Sequence, residues 1–161
     1  MNVRRWHAGA LDESELRSVA IRAATAARQG GVLHLHGDLG AGKTTFARAL
    51  LGALGVGERI KSPTYSLIES YRAGDLDAHH LDLYRIADAG ELEWLGLADL
   101  WTERSLIVIE WPERGTGALP EADLAVFLSH ANDRRDVAFE ARTARGEALI
   151  EAAKVGVPSR L

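Results

Sequence analysis

Gly37-Asp38-Leu39-Gly40-Ala41-Gly42-Lys43-Thr44 fits the pattern G-x-x-x-x-G-K-[ST], and each fixed position has a chemical reason. Glycines let successive backbone N–H groups turn toward one point and form a nest for an anion. A helix beginning at the end of such a loop directs its partial positive charge at the same point. Lys43 can reach the β- and γ-phosphates of a nucleoside triphosphate, and the Thr44 hydroxyl can ligate magnesium. Lysine is scarce in this chain, occurring at positions 43, 61 and 154 against sixteen arginines. A compact ammonium stands where a broad guanidinium would fit poorly.

A loop of this kind needs a carboxylate at the end of a neighbouring strand to hold Mg2+ directly or through water. Two residues qualify. Glu110 follows the apolar run Leu106-Ile107-Val108-Ile109, and Asp82 lies in His80-Leu81-Asp82-Leu83-Tyr84-Arg85. Glu rather than Asp after the buried run gives a longer arm, able to reach the metal shell or an attacking water. Thr64, in Ser62-Pro63-Thr64, falls where many phosphate-loop hydrolases carry a γ-phosphate sensor. Arg85, Arg134 and Arg135 are candidates for neutralising transition-state charge or touching base and ribose. Trp94, Trp101 and Trp111 read as core or interface aromatics. His79 and His80 lack a third ligand at sensible spacing and are not read as a metal site. Guanine-specific proteins use an Asn-Lys-x-Asp element. The only asparagines here, Asn2 and Asn132, do not precede lysine, which favours ATP over GTP.

The elements that must position these residues follow from periodicity. Asp12 with Glu15 forms a capping box, and Leu16, Val19, Ala20, Ala23, Ala24 and Ala27 share one side of the helix it opens, to about Arg28. Gly30-Gly31 stops that helix. The pattern then predicts a strand over 32–36, the glycine-rich loop, and a helix over 44–54 ended by Gly55. Strands over 65–71 and 78–83 flank an Ala73-Gly74-Asp75 turn as a hairpin. One or two short helices fit 88–100. The run 106–109 has the composition of a strand buried on both faces. A loop over 112–120 leads to strands over 122–129 and 136–141 about an Asn132-Asp133 turn, and 146–155 reads as a last helix. The fold class expected is α/β: a single P-loop NTPase domain over 1–161, core about 12–142. Its sheet is mixed and mainly parallel, with antiparallel marginal strands, flanked by helices.

The 161 residues, 47% hydrophobic, suit one domain. A formal net charge of −4 argues against an independent grip on nucleic acid. The absence of cysteine excludes a disulfide framework, Cys-ligated zinc and a Cys nucleophile. No apolar run approaches the ~20 residues of a membrane span, so a soluble cytoplasmic protein is expected.

Five motifs occur in order: His36 to Thr45 around the glycine-rich loop, Lys61-Ser62-Pro63-Thr64-Tyr65, His80 to Arg85, Glu91-Leu92-Glu93, and Ile109-Glu110-Trp111-Pro112-Glu113. The series resembles the TsaE (YjeE) family, over about residues 12–135. The resemblance implies ATP and Mg2+ as ligands and slow ATP hydrolysis by the protein alone. It implies association with a TsaB–TsaD pair, in which TsaD transfers a threonylcarbamoyl group to A37 of tRNAs that read codons beginning with A. Hydrolysis would support turnover of that complex, and tRNA would be met only through the partners. Family roles fall on Lys43, Thr44, Thr64, Asp82, Glu110 and Trp111, with Arg135 near the nucleotide. Two other readings of the same motifs are a small-molecule kinase and a nucleotide-gated binding switch.

Overall fold

The computed structural model describes residues 3–56, 67–94 and 97–155. Its elements run β1 (Arg4–Leu11), α1 (Glu13–Ala27), β2 (Gly31–His36), α2 (Lys43–Ala53), β3 (Ile68–Ala73), β4 (Leu76–Asp82), α3 (Glu91–Trp94), β5 (Ser105–Glu110), β6 (Leu124–Ala131), β7 (Arg134–Ala141) and α4 (Ala144–Lys154). Single 3-10 turns at Leu97–Leu100 and Pro112–Gly115 complete the connections. Among the described residues, no helix is long and apolar enough to cross a membrane.

The strands form one sheet in the order β1-β7-β6-β2-β5-β4-β3. Pairings β6–β2, β2–β5 and β5–β4 are parallel, whereas β3–β4, β6–β7 and β1–β7 are antiparallel. The parallel part is therefore the centre, with a hairpin at one margin and a β6–β7–β1 meander at the other. β5 is buried at all of its residues, as its unbroken apolar run predicts for a central parallel strand.

Strand side chains alternate between faces, and this sorts the core. Leu33, Leu35, Ala78, Leu106, Val108, Leu124, Val126 and Leu128 pack with α1, α2 and α4 on one face. Leu81, Leu83, Ile107 and Ile109 pack on the other face with Leu92, Trp101, Trp111 and Leu119. α1 carries the capping box that Asp12 and Glu15 predict, and the same six residues are buried. The aromatic series Trp6, Phe139 and Phe46, with successive centroids 5.1 and 6.1 Å apart, ties the β1 margin to α2.

Beyond the β3–β4 hairpin, whose strands run on to Ala73 and start at Leu76, three differences from the sequence reading have local causes. β1 is not anticipated: Arg4 and Arg5 and a break in register between His7 and Gly9 hide its alternation, and its partner β7 is remote in sequence. β6 and β7 run on to the turn, where Asn132 takes a left-handed φ of 58°, as asparagine readily does. α4 starts two residues before the expected position because Thr143 caps it, accepting from the Gly146 N–H.

Candidate functional site

The glycine-rich loop joins the C-terminal end of β2 to α2. α1 and α4 begin under side-chain caps from Asp12 and Thr143. α2 does not: its N-cap is Gly42, with no side-chain hydrogen bond and no acidic residue in the first turn. A helix N-terminus left without a side-chain acceptor is suited to an external anion. Two glycines shape the approach. A Cβ on Gly37 would lie 2.5 Å from the Leu128 carbonyl oxygen of β6, and Gly42 has φ 109°. Asp38, Leu39 and Gly40 are exposed at the loop tip, and Ala41 is buried beneath it, its N–H donating to the Asp38 carbonyl over 3.0 Å.

Lys43 is the first residue of α2 and is buried. Its ammonium donates to the carbonyls of Gly37 and Asp38, the latter at 2.9 Å. The Trp111 ring covers it, with the centroid 4.1 Å from Nζ. Burial lowers the Lys43 pKa from the ordinary lysine value, opposed by the negative charges of Glu110, Glu113, Asp82 and Asp38. Trp111 itself has a left-handed φ of 58°, a conformation uncommon outside glycine, asparagine and aspartate.

The acidic partners meet this helix from below. β4 and β5 are parallel in a register that places Asp82 beside Glu110 at their C-terminal ends. Two-residue alternation puts His80, Asp82 and Glu110 on the sheet face that α2 covers. Glu110 is 2% exposed, and both its oxygens are engaged. Thr44 Oγ1 donates to Oε1 at 2.7 Å, and His80 Nε2 lies 2.5 Å from Oε2. Asp82 is half-buried and accepts from the Tyr84 N–H at 3.0 Å. Desolvation raises its pKa, as does the neighbouring Glu110 charge, against the Tyr84 hydrogen bond, His80 and Lys43.

The structure thus brings Lys43, Thr44, Asp82, Glu110 and Trp111 together. Thr45 is in the first turn of α2. Arg135 of β7 reaches the loop, since a Cβ on Gly42 would lie 3.9 Å from its Cγ; its guanidinium donates to the Arg134 carbonyl at 2.9 Å. Arg134 turns away, donating to Glu15 Oε1 at 2.9 Å. Arg85 is exposed in the turn beyond β4. Thr64, with its flanking Ser62 and Pro63, and the side chain of Trp94 lie outside the described residues. Trp101 packs in the second core cluster, away from this chemistry. Sequence reasoning missed His80 as the partner of Glu110. The only available signal was its place two residues before Asp82, on the same side of a strand.

Thr44, Asp82 and Glu110 supply a hydroxyl and two carboxylates. These hard oxygen donors are few enough to leave positions for water and phosphate, the coordination Mg2+ prefers. The uncapped α2 terminus, Lys43 and the glycine cradle fit a polyphosphate.

Comparison with known proteins agrees in sequence and in fold. The family model for threonylcarbamoyl adenosine biosynthesis protein TsaE matches residues 10–137. A Haemophilus influenzae protein named tRNA threonylcarbamoyladenosine biosynthesis protein TsaE is 44% identical over 75% of this chain and 77% of its own length. A Bacillus subtilis protein of the same name is 36% identical over 88% of this chain and 89% of its own. The crystal structure of Bacillus subtilis YdiB superposes with a TM-score of 0.73 at 30% identity, covering 95% of each chain.

Proposed function

The chain belongs to the TsaE family, and we propose that it is a P-loop ATPase serving tRNA N6-threonylcarbamoyladenosine synthesis. It binds ATP with Mg2+ and hydrolyses it slowly alone. In the cytoplasm it acts with a TsaB–TsaD pair whose turnover the hydrolysis supports.

The observation that carries this reading is the 2.7 Å hydrogen bond from Thr44 to Glu110, residues 66 apart in sequence. It joins the first turn of the helix after the glycine-rich loop to the end of the buried central strand. A phosphate-side hydroxyl and an acidic group thereby meet at one point. In the proposed reaction the backbone of residues 37–44 receives the phosphates, and Lys43 exchanges its loop carbonyls for phosphate oxygens. Thr44 and the carboxylates of Asp82 and Glu110 hold the metal shell. Glu110 also orients the attacking water, and Trp111 keeps water off the Lys43 ammonium. Bound magnesium supplies neutralisation of the charge that develops on the phosphates. Thr64 is assigned the γ-phosphate sensor role, and Arg135 contact with the nucleotide.

Calorimetric titration with ATP and Mg2+ tests the binding half. A hydrogen bond to a charged group contributes about 1.5–3 kcal/mol, so Lys43→Ala is expected to weaken ATP binding by about 10- to 100-fold. GTP is expected to bind less tightly than ATP. Wild-type affinity in Lys43→Ala would remove the loop from the assignment.

A further inference from the structure

His80 takes no part in the reaction just described, yet it is the most fully enclosed polar group at the site, with no exposed surface. Its Nε2 lies 2.5 Å from Glu110 Oε2, and its Nδ1 has no hydrogen-bond partner among the described residues. Leaving a polar atom buried and unpaired is unfavourable, and among the described residues the side chain's hydrogen-bond partner is Glu110. A carboxylate oxygen accepts hydrogen bonds, so an Nε2–H is the donor that suits this contact.

The placement follows from the strand register. Asp82 pairs with Glu110 and His80 with Val108, so His80 reaches Glu110 along the diagonal of one sheet face. The last torsion of a glutamate is broad and roughly two-fold. Hydrogen bonds to its two oxygens, from Thr44 and with His80 among the described residues, therefore weigh heavily in setting the carboxylate plane. One oxygen is bonded by Thr44, whose hydroxyl oxygen is wanted by the metal. The other is bonded by His80, which is anchored in β4.

We propose that His80 is a positioning residue for Glu110: its Nε2–H bond pins Oε2, so that Oε1 stays directed at Thr44 and the metal side of the site. This rests on the ATPase reading above. Partners that orient the groups around a metal typically change affinity or activity 10- to 100-fold when removed.

The test compares wild type, His80→Gln and His80→Leu. Glutamine can place an amide N–H near the position of Nε2; leucine offers no donor. His80→Leu is expected to bind ATP in EDTA within about threefold of wild type. Its affinity for Mg2+ on the nucleotide complex and its single-turnover hydrolysis are expected to fall by about 10- to 100-fold. His80→Gln is expected to recover most of both. Hydrolysis at the wild-type rate in His80→Leu, or equal losses in both variants with folding intact, would overturn the proposal. Long-range proton–nitrogen NMR of the metal-free wild type gives a second reading and decides alone if His80→Leu does not fold. The Nε2–H tautomer is expected, and an Nδ1–H tautomer would overturn the proposal. A wild type that releases no ADP would count against the ATPase reading, while the tautomer would still decide the bond.

Discussion

Glu110 and Asp82 are neighbours on adjacent strands, yet their surroundings differ. Glu110 is buried and has hydrogen-bond partners on both oxygens. Asp82 is half-buried, and its pKa is raised above the ordinary 3.8, chiefly by desolvation. A carboxyl whose pKa rises on folding favours the folded state when protonated. That contribution is present in full below the unfolded value near 3.8 and is lost as pH climbs through the raised folded value. At neutral pH the charged Asp82 therefore opposes folding. Asp82→Asn keeps an oxygen for the Tyr84 N–H and removes the charge. It is expected to melt at a higher temperature than wild type at pH 7, with the gap closing as pH falls, and to hydrolyse ATP more slowly. A midpoint at or below wild type at pH 7 would contradict the origin assigned to the shift. Glu110 was legible in the sequence because it ends an unbroken apolar run. His80 was not, because its role depends on pairing β4 with β5, and no local pattern encodes that register.

At the scale of elements, the β2–loop–α2 unit departs from the capping used by the other long helices. α1 and α4 satisfy their first N–H groups with Asp12 and Thr143, whereas Gly42 has no side chain with which to do so. The loop is held by its packing on β6. A Cβ on Gly37 would come within 2.5 Å of a backbone oxygen there, which no side-chain rotation relieves. Gly37→Ala is expected to cost about 1–3 kcal/mol, the usual range for overpacking, and to weaken ATP binding. Urea denaturation with and without MgATP measures both. Unchanged stability would mean that the loop is free of β6. The helices were legible from the 3.6-residue period that burial imposes, and the central strand β5 from its unbroken apolar run. The marginal strand β1 was not. Its order comes from pairing with β7 and from Trp6 stacking on Phe139, contacts between opposite ends of the chain.

Across the whole molecule, the candidate site lies at the C-terminal ends of β2, β4 and β5. β2 is flanked by β5 on one side and β6 on the other. Ligands of open α/β sheets bind where the connections of adjacent strands leave in opposite directions, and here β2 leads on to the β3–β4 hairpin while its neighbour β6 leads on to β7 toward the other margin. The α/β class and the antiparallel margins were readable from element order, but the strand order was not, because it is set by which apolar faces cover one another. The net charge of −4 favours the proposed route through partner proteins over a direct grip on tRNA. The most direct test of the proposed role is ADP release from saturating MgATP by wild type and Glu110→Ala, each alone and with the TsaB–TsaD pair and tRNA. The expected result is slow release by wild type that rises with the partners, and release at least 10-fold slower in Glu110→Ala under both conditions, with ATP binding largely kept. Equal rates in the two proteins, or a wild-type rate indifferent to the partners, would contradict it.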